Sequence, residues 1–146
     1  MKFTTYSRYA IRAMLILSQD HPVSLREISQ REKIPEKFLE QIFIKLKTKG
    51  LVKGKRGVRG GYVLAKDPSQ ITWLEIMEAV EESLLPVPCL EEHGEKECPT
   101  FNECVVRQYW RKFYDLLREY FSSLTLAKVK RDETHTLSDS KRTFRR

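Results

Sequence analysis

No stretch of this 146-residue sequence approaches the roughly 18–20 consecutive apolar residues that cross a bilayer, so no membrane span is expected. The opening residues, Met1-Lys2-Phe3-Thr4-Thr5-Tyr6-Ser7-Arg8, lack the apolar run and small-residue cleavage site of a secretion signal. A cytoplasmic location is the expectation. Cysteine is scarce: Cys89, Cys98 and Cys104 are an odd set of three, which argues against a disulfide scaffold. The three histidines, His21, His93 and His135, share no motif, and no Ser/His/Asp or Cys/His arrangement is present. An enzyme is therefore not expected. A phosphate-binding Gly-x-x-x-x-Gly-Lys-Ser/Thr pattern is also missing, and so is any internal repeat. Hydrophobic residues, at 40%, suffice for one compact core but not for a large enzyme with a deep pocket.

What is present is charge, unevenly placed. Residues 1–80 carry 15 Lys/Arg against 8 Asp/Glu, residues 81–104 carry 1 against 7, and residues 105–146 carry 11 against 5. A basic front suits a polyanionic partner. The acidic middle holds all three cysteines.

Apolar periodicity predicts a first helix over 4–19, with Tyr6, Tyr9, Ala10, Ala13, Met14 and Leu17 at spacings of three and four. Ser24 with Glu27 predicts a capping box opening a short second helix that runs to about Arg31. A third helix is expected from Pro35 to Lys49, stopped by Gly50, with Phe38, Leu39, Ile42, Phe43 and Leu46 buried. Lys37, Glu40, Gln41, Ile44 and Thr48 then point outward. Leu51–Lys53 and Tyr62–Leu64 flank a basic, glycine-rich turn and read as a hairpin. Thr72 with Glu75 caps a fourth helix to about Glu82, and Thr100 with Glu103 is expected to cap a long last helix.

Helix, short helix, turn, helix and basic hairpin is the order of a winged helix-turn-helix, whose later helix enters the major groove. Seven basic residues and no acidic one lie between Lys45 and Arg59. The fold class expected is mainly α, a winged helix-turn-helix headpiece with a small β-hairpin wing and a long C-terminal dimerisation helix. Candidate contacts to a double-stranded DNA operator are Ser24, Lys37, Glu40, Gln41, Lys45, Lys55, Arg56, Arg59 and Gly60.

Phe3-Thr4-Thr5-Tyr6-Ser7-Arg8-Tyr9-Ala10, Phe38-Leu39-Glu40-Gln41-Ile42, Lys49-Gly50-Leu51-Val52, Arg56-Gly57 and Gly60-Gly61-Tyr62 resemble the IscR/NsrR/RirA/CymR-type regulators of the Rrf-two family. The similarity runs from Met1 to about Val129. It implies a bacterial transcription factor that works as a homodimer, with Glu40 and Arg56 near base edges. Arg59 departs from the glycine commoner in the family at that position.

The cysteine spacing, Cys89-x8-Cys98-x5-Cys104, lacks the close pairs of zinc ribbons and leaves two readings open, three free thiols or a thiolate-held cluster. The resemblance implies that the three are metal ligands for an iron–sulfur cluster, 2Fe–2S or 4Fe–4S. Arg107 and Arg8 occupy the positions where family members carry a fourth ligand, and His93 is a candidate by proximity. The acidic surroundings are expected to raise the thiol pKa values.

Val106, Trp110, Phe113, Leu117, Tyr120 and Leu124 recur at spacings of four and three, the seam expected at a dimer interface. The organisation expected is a DNA-binding domain over 1–82, a cysteine-containing sensor loop over 83–104, a dimerisation helix with a short following turn over 100–129, and a disordered basic tail over 130–146. The function expected is a dimeric regulator sensing iron–sulfur, redox or nitric oxide status. The alternative is a cluster-free regulator of the same fold, controlled by thiol oxidation or a protein partner, as CymR-type members that lack the cysteines imply.

Overall fold

A computed structural model describes residues 2–133. Helix α1 (Thr5–Ile16) opens with the Thr4 hydroxyl accepting from the Ser7 N–H. It ends three residues before the expected boundary at 19. The reason is tertiary: the Ser18 carbonyl accepts from Leu64 N–H at 2.9 Å, so it is committed to the wing instead of another helical turn.

Ser24 caps α2 (Leu25–Glu32) by accepting from Glu27 N–H at 3.1 Å. Only that half of the expected capping box forms, and the Glu27 carboxylate lies 4.0 Å from Arg31. Helix α3 (Glu36–Thr48) starts after Pro35, and Gly50 takes the left-handed φ of 72° that stops it. Leu39, Ile42, Phe43 and Leu46 are buried, but Phe38 is exposed at the rim, edge-on to Tyr6 and Tyr9.

Strands β1 (Val52–Lys55) and β2 (Gly61–Leu64) pair antiparallel with Val52 opposite Leu64 and Lys55 opposite Gly61. Two hydrogen bonds between Val23 and Tyr62, 3.0 and 2.8 Å, fasten this wing to the segment before α2.

Helix α4 (Trp73–Ala79) carries a complete capping box between Thr72 and Glu75, as expected. It stops short of Glu82 because Glu81 adopts a left-handed φ of 60°. Single 3-10 turns at Pro88–Leu90, Gly94–Lys96 and Phe101–Glu103 fill the cysteine segment. Helix α5 (Arg107–Ser123) begins later than expected, because Thr100 makes no side-chain cap and its hydroxyl lies beside Cys98 Sγ.

After α5 the chain pairs back: Trp73 N–H donates to the Leu124 carbonyl and Leu126 N–H to the Ile71 carbonyl. Residues 126–133 are helical, so the tail expected to be disordered from Lys130 keeps helix through 133; its remainder lies outside the described residues.

One core joins these elements. Met14, Leu17, Ile28, Leu39, Phe43, Leu46 and Ile76 are all fully buried. Each such side chain contributes about 1.5–3 kcal/mol relative to leaving it in water. Among the described residues no helix is long and apolar enough to cross a membrane.

Candidate nucleic-acid interface and cysteine loop

The buried face of α3 faces the core, which leaves Lys37, Glu40, Gln41, Ile44 and Thr48 exposed along the opposite face. Ile44, 65% exposed, adds an apolar contact surface to this face. Beside this face, α3 and the wing enclose an open groove of about 500 Å³ lined by Lys47, Lys53, Gly54, Lys55, Arg56, Gly61 and Tyr62. Four cations on one concave surface suit a phosphate backbone, since field lines concentrate in a low-dielectric cleft. None of the four makes an ion pair with another described residue.

The expected contacts divide on this geometry. Lys55 and Arg56 line the groove. Arg59 is exposed near the wing tip. Lys37 and Glu40 are exposed on α3. The other four make hydrogen bonds within the protein. Lys45 donates to Glu81 at 2.8 Å, because its flank of α3 meets the end of α4. Gly60 uses its N–H within the wing turn, to the Gly57 carbonyl at 3.0 Å. Ser24 caps α2 and is half-buried. Gln41 accepts a hydrogen bond from the Tyr6 hydroxyl of α1. Lys47, Lys53 and Tyr62 line the groove without being among the expected contacts, although both lysines lie in the basic run and Tyr62 in the hairpin.

The start of the cysteine segment is tied to the headpiece. The Thr4 N–H and hydroxyl donate to Glu82 Oε2 at 2.8 and 2.6 Å. Desolvation pulls the Glu82 pKa up, but hydrogen bonds from Ser7 and Thr4 outweigh it and hold the carboxyl below its ordinary value. Glu81, paired with Lys45, is likewise lowered.

Cys89, Cys98 and Cys104 are free and half-buried. Cys89 sits in the first 3-10 turn, against Gly94, where a Cβ would meet the Cys89 carbonyl oxygen at 2.5 Å. Cys104 is extended, three residues before α5, rather than in the first turn of a capped helix. Cys98 runs against the expectation of raised thiol pKa values: hydrogen bonding from the Thr100 hydroxyl and backbone holds it below its ordinary value. Three thiols suit iron in kind. In placement they do not fit: no group of three or more His, Cys, Asp or Glu able to hold a metal comes together among the described residues. His93, with left-handed φ, lies between Glu92 and Glu95 at 3.9 and 3.8 Å. The Arg107 guanidinium stacks on the Phe101 ring at 4.0 Å.

On α5, Val106, Trp110, Phe113 and Tyr120 of the expected seam are exposed, between 41% and 59%. Leu117 and Leu124 instead pack on the chain's own core beside Tyr114. Val105, Tyr109 and Leu116 are exposed and continue the apolar stripe. Leu117 and Leu124 lie on the side that packs against α4 and the core, the side on which Phe121 of the same helix is buried. The stripe adjoins an apolar cleft of about 430 Å³ whose lining includes Phe3, Ile11, Trp73, Met77, Tyr120 and Phe121.

A family model described as Rrf2, iron-dependent transcriptional regulator, matches residues 3–132. The HTH-type transcriptional regulator IscR of Yersinia pseudotuberculosis is 38% identical over 132 residues, covering 88% of this chain and 79% of that protein. Among solved structures, the B. subtilis global cysteine regulator CymR aligns with a TM-score of 0.72 at 34% identity, covering 89% of this chain and 96% of that one. IscR of T. potens aligns with a TM-score of 0.73 at 32% identity, covering 91% and 88%.

Proposed function

The chain belongs to the Rrf2 family and is a DNA-binding transcriptional regulator, not an enzyme, and from that premise we propose that it acts as a cytoplasmic homodimer whose cysteine loop senses iron–sulfur, redox or nitric oxide status. The observation that carries the DNA interface is the unpaired cationic groove between α3 and the wing, beside an exposed helix face. Lys47, Lys53, Lys55 and Arg56 would neutralise phosphates, while Lys37, Glu40 and Gln41 reach base edges. Glu40 is an acceptor and suits cytosine N4. Pairing of two copies is supported by the exposed stripe on α5, where Tyr109, Trp110, Phe113 and Leu116 would otherwise leave a large apolar surface in water.

Cluster sensing is the leading reading of Cys89, Cys98 and Cys104, and it rests on their number, their single loop and the IscR relatives. It requires residues 83–104 to close around the group. The thiol-oxidation alternative is favoured by the Thr100 hydroxyl 3.5 Å from Cys98 Sγ, a contact that favours the thiolate, the species that oxidants attack.

Anaerobic purification with iron and sulfide quantitation separates the two. The cluster reading expects coloured protein, and expects Cys98→Ala and Cys104→Ala each to abolish the visible absorbance. Colourless wild-type protein after anaerobic reconstitution, with three titratable thiols, overturns it and leaves the thiol reading.

A further inference from the structure

The outward face of α3 has an apolar centre. At about 100° per residue, Ile44 leaves the helix roughly 140–160° away from Leu39 and Leu46, both fully buried in the core. Lys37 and Thr48 stand in line with it, two turns before and one turn after, and Glu40 lies one turn before and to the side. An isolated exposed isoleucine is common on protein surfaces, so exposure alone assigns it nothing. Its surroundings do. Phe38, the other large apolar side chain exposed on α3, has Tyr6 and Tyr9 edge-on against it. Ile44 does not pack on the core. The Thr48 hydroxyl donates to the Ile44 carbonyl at 2.8 Å, so its one donor is turned back onto the helix. Ile44 thus stands between the acceptor of Glu40 and a threonine whose donor is committed, beside the groove lined by Lys47, Lys53, Lys55 and Arg56.

Those four cations would hold the phosphate backbone and so fix where α3 lies on the duplex. The centre of the outward face then meets base edges and loses its water. Guanine N7 and O6, adenine N7 and N6, cytosine N4 and thymine O4 are all acceptors or donors, and the apolar group on the major-groove edge is the thymine C5-methyl. An isoleucine set against any of the polar groups removes its water and returns no hydrogen bond, which is unfavourable. Set against the methyl, both partners gain by burial. We propose that Ile44 is a specificity-determining residue that selects thymine at one position in each half-site by packing on its C5-methyl group. This selection rests on the DNA-reading function proposed above.

The full-length wild-type protein and Ile44→Ala each select bound sequences from a pool of randomised duplex DNA. Wild type is expected to enrich thymine at one position per half-site, and Ile44→Ala to lose that preference with the rest of the motif unchanged. The selected duplex is then synthesised with uracil in place of that thymine, which removes the methyl and keeps O4 and the base pair. By fluorescence anisotropy, wild type should bind the uracil duplex about fourfold more weakly per half-site, the worth of roughly one buried methyl. Ile44→Ala should bind the two duplexes equally. Thermal melting checks that the variant remains folded, and the uracil comparison on wild type needs no variant at all. Equal binding of both duplexes by wild type overturns the proposal. So does an equal loss on uracil in both proteins, which would assign the methyl to another side chain, and so does an Ile44→Ala motif identical to wild type. In those cases the enriched motif still upholds DNA reading. If wild type enriches no sequence at all, the DNA-reading function fails and the inference falls with it.

Discussion

Removing two groove cations, Lys53→Ala together with Arg56→Ala, tests the interface quantitatively. Both side chains are exposed and line the groove, so the fold loses no packing. Each phosphate neutralised by a cation contributes about 0.9 to the slope of log affinity against log salt. Two contacts in each of two subunits should lower that slope by about 3.6, equivalent to about 150-fold over a fourfold change in salt. The variant should therefore lose much of its affinity at low salt and respond far less to added salt. Lys45→Ala is the internal control: its ammonium is held by Glu81 at 2.8 Å, and the slope should barely move. Fluorescence anisotropy with a labelled non-operator duplex across a salt series reads both slopes. A double variant with the wild-type slope would place the phosphate backbone elsewhere. A clearly lowered slope for Lys45→Ala would mean that the pair with Glu81 opens on DNA.

Two further predictions follow from the α5 stripe and the Glu82 clamp. Phe113→Asp with Leu116→Asp should yield folded monomers by light scattering and circular dichroism, since both side chains are exposed, whereas Leu117→Asp should unfold the chain because Leu117 packs on its core; a folded dimer in the first case moves the interface. Because the Glu82 carboxyl is held below its ordinary value, the stability it contributes is present in full at neutral pH and is lost as pH falls through the lowered value. Glu82→Gln should therefore melt below wild type at neutral pH, with the gap closing on acidification; a gap constant with pH would assign the loss to packing.

The helix boundaries legible in the sequence are those fixed by neighbours along the chain. Thr72 and Glu75 close their capping box within one turn, and Gly50 reaches a left-handed conformation that costs other residues more. The wing was readable from two short apolar runs about a basic turn. The boundaries that moved were set across the chain. Ser18 gives its carbonyl to Leu64, which ends α1, and Thr100 turns to Cys98, which delays α5.

By itself, the sequence determined the order of elements, the basic character of α3 and the wing, and the confinement of all three cysteines to one acidic loop. These follow from local spacing and composition. Which lysines remain free, which element Gln41 meets and which side of α5 stays bare were decided only in three dimensions. Lys45 meets Glu81, Gln41 meets Tyr6, and Leu117 meets the core, each through a partner from another element. A side chain's periodicity tells the direction it leaves its helix. It does not tell what stands there to receive it.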